Sequence, residues 1–239
     1  MASESGSGMP CVTSGTELCD SFETGQLDSA MWKTVLMGSG ASITVDSMHA
    51  HTGKYAVHAK VTPGQQSTAQ ITEAVTFPAM NDAFYTRIWA YISPDVMWPT
   101  GDFHTGFIIA GGNNDRGHVV AAVGANLSPN SAAGPMHYLG YSIYPGYEFG
   151  PRSPTAVVSG GWTCIELFES GQGASGVRQI WADGIELPEQ KTSDSGSGQK
   201  PPAFNLVSIG IWEYHPTPSL SDMWIDDVRI SSQRVGCGN

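Results

Sequence analysis

Phe84-Tyr85-Thr86-Arg87-Ile88-Trp89-Ala90-Tyr91-Ile92 is the stretch whose reading decides the fold class. In an extended chain Phe84, Thr86, Ile88, Ala90 and Ile92 fall on one face, and Tyr85, Arg87, Trp89 and Tyr91 on the other. That period of two, carried by aromatic and β-branched side chains, is the mark of a strand with one face in a core. The second face, polar and aromatic at once, suits a concave sheet turned toward sugar.

The same alternation continues on both sides of this strand. Residues 41–45 alternate, as do Tyr55-Ala56-Val57-His58-Ala59-Lys60-Val61 before Pro63-Gly64 and Gln70-Ile71-Thr72-Glu73-Ala74-Val75 before Pro78. Further strands are expected at 104–110, 118–123, 164–168, 177–182, 206–212 and 223–230. The 29 glycines and 15 prolines punctuate the chain, and 14% charged residues is too few for long amphipathic helices. About eleven or twelve strands without a helical period make an all-β protein, a jelly-roll β-sandwich of two antiparallel sheets. Residues 19–239 are expected to form one jelly-roll domain, with 126–134 and 188–202 as exposed loops. Residues 1–18 read as a flexible N-terminal leader or linker remnant. Met1 to Pro10 has no apolar core and is not a signal peptide.

A formal net charge of −11 argues against nucleic acid, which needs clustered cations. It also means that an anionic polymer must be recognised by a few local cations among the 11 Lys and Arg. No stretch has the length of a membrane-spanning helix. A monomer is expected. The four cysteines allow three full pairings. Cys11 and Cys19 flank a short Ser/Thr/Gly loop that a local bridge would close, and Cys164–Cys237 would pin the last strand. The alternative, free or metal-bound thiols, finds no Cys-x-x-Cys spacing. Disulfides imply an oxidising compartment.

Several motifs resemble the secreted, cellulose-induced Cip-type proteins of cellulolytic fungi, related in fold to glucuronan lyases. They are Asp20-Ser21-Phe22-Glu23, His51-Thr52-Gly53-Lys54-Tyr55, Tyr85-Thr86-Arg87-Ile88-Trp89, His104-Thr105-Gly106-Phe107-Ile108-Ile109, Trp212-Glu213-Tyr214, Trp224-Ile225-Asp226-Asp227 and Arg234-Val235-Gly236-Cys237-Gly238. The last is the most specific. The resemblance covers most of residues 19–238 and implies a jelly roll with a structural calcium, a polysaccharide-facing groove, and a secreted, extracellular setting in biomass degradation. The chain departs from the family in placing its first bridge before the first strand.

Calcium takes six to eight oxygen ligands. Glu23 on the expected first strand and Asp226 on the last are carboxylates that paired terminal strands would bring together. The resemblance places calcium among Glu23, Thr52, Tyr55 and Asp226, with Thr52 and Tyr55 giving main-chain oxygen. Asp227 would point to the opposite face of an ideal strand.

A uronate lyase needs a group that neutralises the carboxylate, a base, and an acid for the leaving oxygen. The resemblance puts His104, His118, Tyr214 and Arg87 on groove-lining positions, and Gln70 joins them as a polar side chain able to hold the carboxylate. Each also has a plain structural reading: His104 as a strand cap, His118 as surface, Arg87 paired with Glu73 or Glu213, and Tyr214 as loop packing. Trp89, Trp212, Tyr141 and Tyr144 are candidate stacking surfaces for the polysaccharide. The leading expectation is a polysaccharide lyase, followed by a carbohydrate-binding protein on the same fold. A glycoside hydrolase would need two carboxylates about 5–10 Å apart, and Glu148, Glu166, Glu169 and Glu213 show no spacing that marks such a pair.

Overall fold

The computed structural model describes residues 17–76, 83–96, 103–114, 117–127, 138–144, 155, 157–171, 176–193, 202–213 and 222–238. Fifteen strands are present there: β1 Glu17–Asp20, β2 Lys33–Met37, β3 Ser42–Asp46, β4 Ala56–Lys60, β5 Thr68–Glu73, β6 Ala83–Ile92, β7 Phe103–Asn114, β8 Gly117–Leu127, β9 Tyr138–Tyr144, β10 Trp162–Ser170, β11 Val177–Ala182, β12 Ile185–Glu186, β13 Thr192–Ser193, β14 Ala203–Glu213 and β15 Asp222–Ser231. A single 3-10 turn at Pro188–Gln190 is the one helical element among the described residues.

All pairings are antiparallel, and they make two sheets. The larger runs β12-β11-β10-β6-β15-β4-β3, with β1 on β15 and β13 on β11; the smaller runs β2-β5-β14-β7-β8-β9. The jelly-roll expectation is met. Alternation explains the layers: Phe84, Ile88, Ala90 and Ile92 of β6 face Phe204, Val207, Ile209 and Ile211 of β14 across one buried core. Phe84 and Phe204 meet edge to face with ring centres 5.7 Å apart. Each such buried ring contributes about 1.5–3 kcal/mol.

Two strand expectations need correction. β2 escaped a reading based on periodicity because all of it is exposed, so neither face of this edge strand carries a core pattern. Glu23 is not on the first strand. β1 ends at Asp20, and Glu23 stands in the turn that follows.

The C-terminal Arg-Val-Gly-Cys-Gly has a structural purpose. Fully buried Glu166 accepts hydrogen bonds from the Val235 and Gly236 amides and from Arg234 Nε, each at 2.9 Å. The Arg234 guanidinium lies 4.4 Å from the centre of the Trp181 ring. A disulfide joins Cys164 to Cys237, 73 residues apart. Cys19 is also disulfide-bonded, and Cys11 lies outside the described residues. Closing a loop of this length removes chain entropy worth about 4 kcal/mol. Cys237→Ser is therefore expected to lower unfolding stability by roughly that amount, measured by urea denaturation. An unchanged midpoint would contradict the anchoring role.

Candidate functional site

The outer face of the larger sheet is built around a bulge in β15. Register slips there between Asp226 and Arg229, and Asp227 takes a φ of 46°. In an ideal strand these two carboxylates would point to opposite faces. The bulge instead brings both to the turn at 51–55. Asp226 Oδ2 accepts from the His51 amide at 2.8 Å and the Thr52 amide at 3.1 Å. Asp227 accepts from Thr52 Oγ1 at 2.8 Å and holds His51 Nδ1 at 2.7 Å. From the other side of the turn, Glu23 accepts from the Lys54 and Tyr55 amides at 2.9 Å. The turn passes Gly53 at φ 61°, and a Cβ there would stand 2.3 Å from Glu23 Cδ. Only glycine fits.

Glu23, Thr52, Tyr55 and Asp226 therefore do assemble around one turn, although Thr52 and Tyr55 present their N–H groups to the carboxylates. Asp226 is completely buried. Burial first, and then the charge of Asp227, push its pKa up to about 7. Glu23 and Asp226 bring carboxylate oxygens to this turn, but among the described residues no group of three or more His, Cys, Asp and Glu is placed to hold a metal ion.

The turn also closes the face above it. The His51 ring stacks on Trp89 at 3.7 Å and the His49 ring on Tyr91 at 4.2 Å. His58 sits between Asp46 at 2.8 Å and Asp222 at 2.7 Å, stacked on Trp224. Arg87 is buried on this face, where its pKa is lowered chiefly by burial. The alternation read in β6 holds, but its polar face is the covered outer side of the nine-stranded sheet. Trp89 is taken up by His51, and Arg87 sits among Asp227, Arg229 and Glu166. Neither belongs with the other groove candidates. Glu166 and Glu169 are likewise spent structurally, on the C-terminal segment and on Arg178 at 3.0 Å.

Gln70, His104 and His118 all lie on strands of the six-stranded sheet. Ala69 and Ile71 point into the core, so Thr68, Gln70 and Thr72 share the outer face. Thr72 Oγ1 meets Ser208 Oγ across the ladder at 2.7 Å. Gln70 pairs with Gly210, and Thr68 with Trp212. Gln70 is buried, and its Nε2 has no hydrogen-bond partner among the described residues.

His104 pairs with Asn126, whereas His118 pairs with Asn113. The two rows are nine residues apart along β7, about 30 Å. His104 and His118 stand at opposite ends of one hairpin and form no common site. Tyr214 lies outside the described residues; Glu213, directly before it, pairs with Thr105, next to His104. Tyr141 and Tyr144 belong to the edge strand β9, and their side chains lie outside the described residues, as does the His104 ring. Sequence reasoning missed Lys33 and Met37, which the β2–β5 register sets opposite Thr72 and Thr68 on this face.

No protein-family model and no curated protein matches the sequence. Solved structures do match the fold. A cellulose-induced protein, Cip1, superposes with a TM-score of 0.69 at 20% identity, covering 92% of this chain and all of that one. An endo-β-1,4-glucuronan lyase from the fungus Trichoderma reesei gives 0.60 at 13% identity, over 87% of this chain and 93% of the lyase. The alginate lyase vAL-1 from Chlorella virus gives 0.51 at 11% identity, over 84% and 93%. At these identities the likeness establishes a shared fold.

Proposed function

We propose that this is a secreted carbohydrate-active protein whose site is the outer face of the six-stranded sheet, and that it cleaves a uronic-acid-containing polysaccharide by β-elimination. The observation that carries this reading is the buried, unpartnered amide of Gln70 beside the Trp212 ladder position, on a fold shared with two polysaccharide lyases. A buried donor without an acceptor costs about 1–3 kcal/mol, and a substrate carboxylate would satisfy it.

In the elimination a base removes the C5 proton and the electron pair becomes the C4–C5 double bond. The C4–O bond then breaks, and an acid protonates the leaving oxygen. Gln70 Nε2 donates to the carboxylate, His104 and Tyr214 share the two proton transfers, and the Trp212 indole stacks on a sugar face. The register of Glu213 with Thr105 supports pairing His104 with Tyr214. The disulfides support secretion. Among the described residues no helix is long and apolar enough to cross a membrane.

Binding without turnover is the second reading. One observation favours it: Arg87, the cation an elimination would use, is on the other sheet. A structural calcium is the cofactor we propose, held by Glu23 and Asp226 with main-chain oxygen from Thr52 and Tyr55. Its charge would offset the buried Asp226.

Incubation with polyglucuronate or alginate is expected to yield unsaturated products absorbing in the ultraviolet. His104→Ala is expected to lower the rate by about 10²–10⁴ with affinity retained, because a proton-transfer group acts in the transition state. Glycan binding with no turnover would establish the second reading, and neither binding nor turnover would overturn both. Calcium at a hundredfold its dissociation constant stabilises by about 2.7 kcal/mol. That corresponds to a rise in melting temperature of roughly 5–10 °C, reversed by chelator and absent in Glu23→Ala. A melting curve indifferent to chelator would remove the metal.

A further inference from the structure

We propose that Arg87, Arg229 and the Trp89 indole hold a small monovalent inorganic anion, of the size of a halide, on the outer face of the larger sheet. Nothing in this site depends on where a glycan binds. Arg87 is 7% exposed, and its Nε has no hydrogen-bond partner among the described residues. The other described arginines, Arg178, Arg229 and Arg234, each hold a carboxylate. Arg87 holds none. The charges of Asp227, Glu166 and Asp226 reach it, but the oxygens of all three are already taken. Glu166 accepts from Arg234 and from the Val235 and Gly236 amides. Asp227 is held by His51 and Thr52, and Asp226 accepts from three backbone amides.

The strand register sharpens the need for a counter-ion. β6 and β15 set Arg87 directly opposite Arg229. Side chains so opposed stand about 5 Å apart at Cβ, and like charges there repel. Glu17 neutralises Arg229, whereas Arg87 has no such partner. An anion between the two guanidinium groups would remove the repulsion and accept charge-assisted hydrogen bonds from both. Trp89 lies two residues along the same face of β6. Its Nε1 is a second buried donor without a partner among the described residues.

The surroundings decide what kind of anion fits. The His51 ring lies 3.7 Å from Trp89, and with Arg87 buried there is no room for a sugar ring. Asp227 and Glu166 would repel a dianion such as sulfate more strongly than a monovalent ion. Water would accept the N–H bonds but leave the buried guanidinium charge uncompensated. Arg229, with 39% of its side chain exposed, is the open end through which the ion would exchange.

Crystals of the full chain soaked in sodium bromide test the site, because bromide is located by its anomalous scattering. The expected result is a bromide peak within hydrogen-bond distance of Arg87 Nε. In solution, replacing gluconate by bromide at constant ionic strength and constant calcium is expected to raise the melting temperature saturably. The rise is roughly 5–10 °C at a hundredfold the dissociation constant. Arg87→Met, which removes the charge but keeps an unbranched side chain, is expected to abolish that rise. Arg229→Gln is expected to move its midpoint to about tenfold higher bromide. Bromide found only at exposed lysines, with water at Arg87, would overturn the site, as would an undiminished rise in Arg87→Met. Should Arg87→Met fail to fold, the soaked crystal of the unaltered chain decides alone.

Discussion

The bulge at Asp226 and Asp227 is the constraint on which the rest of this architecture depends. β15 lies between β6 and β4 in the larger sheet and also carries β1, so a change of direction there is felt by three neighbouring strands. The extra residue turns two successive carboxylates onto one turn, and Glu23 holds the same turn from the N-terminal side. Hydrogen bonds to charged acceptors contribute about 1.5–3 kcal/mol each. The clamp therefore outweighs the cost of the left-handed backbone at Asp227, of order 1–3 kcal/mol. What it secures is the position of His51 and His49 over Trp89 and Tyr91.

That lid covers part of the larger sheet's outer face. Aromatic rings stacked on histidines, with Arg87 buried among acids, make the larger sheet's outer face a packed layer. The smaller sheet carries different chemistry, although Thr68, Gln70 and Ser208 on its outer face are buried as well. Its outer face carries hydroxyls, one buried amide, an indole and a row of glycines, and it ends on an exposed edge strand. With a net charge of −11 the molecule repels a polyanion at long range. On the proposed reading, recognition of a uronate would depend on short-range donors such as Gln70 and Lys33, and on stacking, which is indifferent to charge.

Much of the fold was legible because its signal is local. Strands β4, β6 and β15 announce themselves by alternation, and the pairing of Cys164 with Cys237 agrees with the expected anchoring of the last strand. The Glu23, Thr52, Tyr55 and Asp226 cluster was legible as a set, while its wiring through N–H groups was not, because a bulge leaves no mark on hydrophobic period. The placement of Arg87 failed for a related reason. Alternation says which residues share a face, but the same pattern fits either sheet of a sandwich. His104 and His118 looked like neighbours on successive strands, and only the register shows them at opposite ends of a hairpin. β2 was invisible because an exposed edge strand has no buried side to leave a pattern.

The central claim is that sugar meets the six-stranded sheet and not the nine-stranded one. A crystal structure of the chain soaked with a glucuronate oligosaccharide tests it most directly. The account predicts density for the sugar across Trp212, with its carboxylate within hydrogen-bond distance of Gln70 Nε2. Density over Arg87 and Trp89, with the 51–55 turn displaced to admit it, would contradict the account.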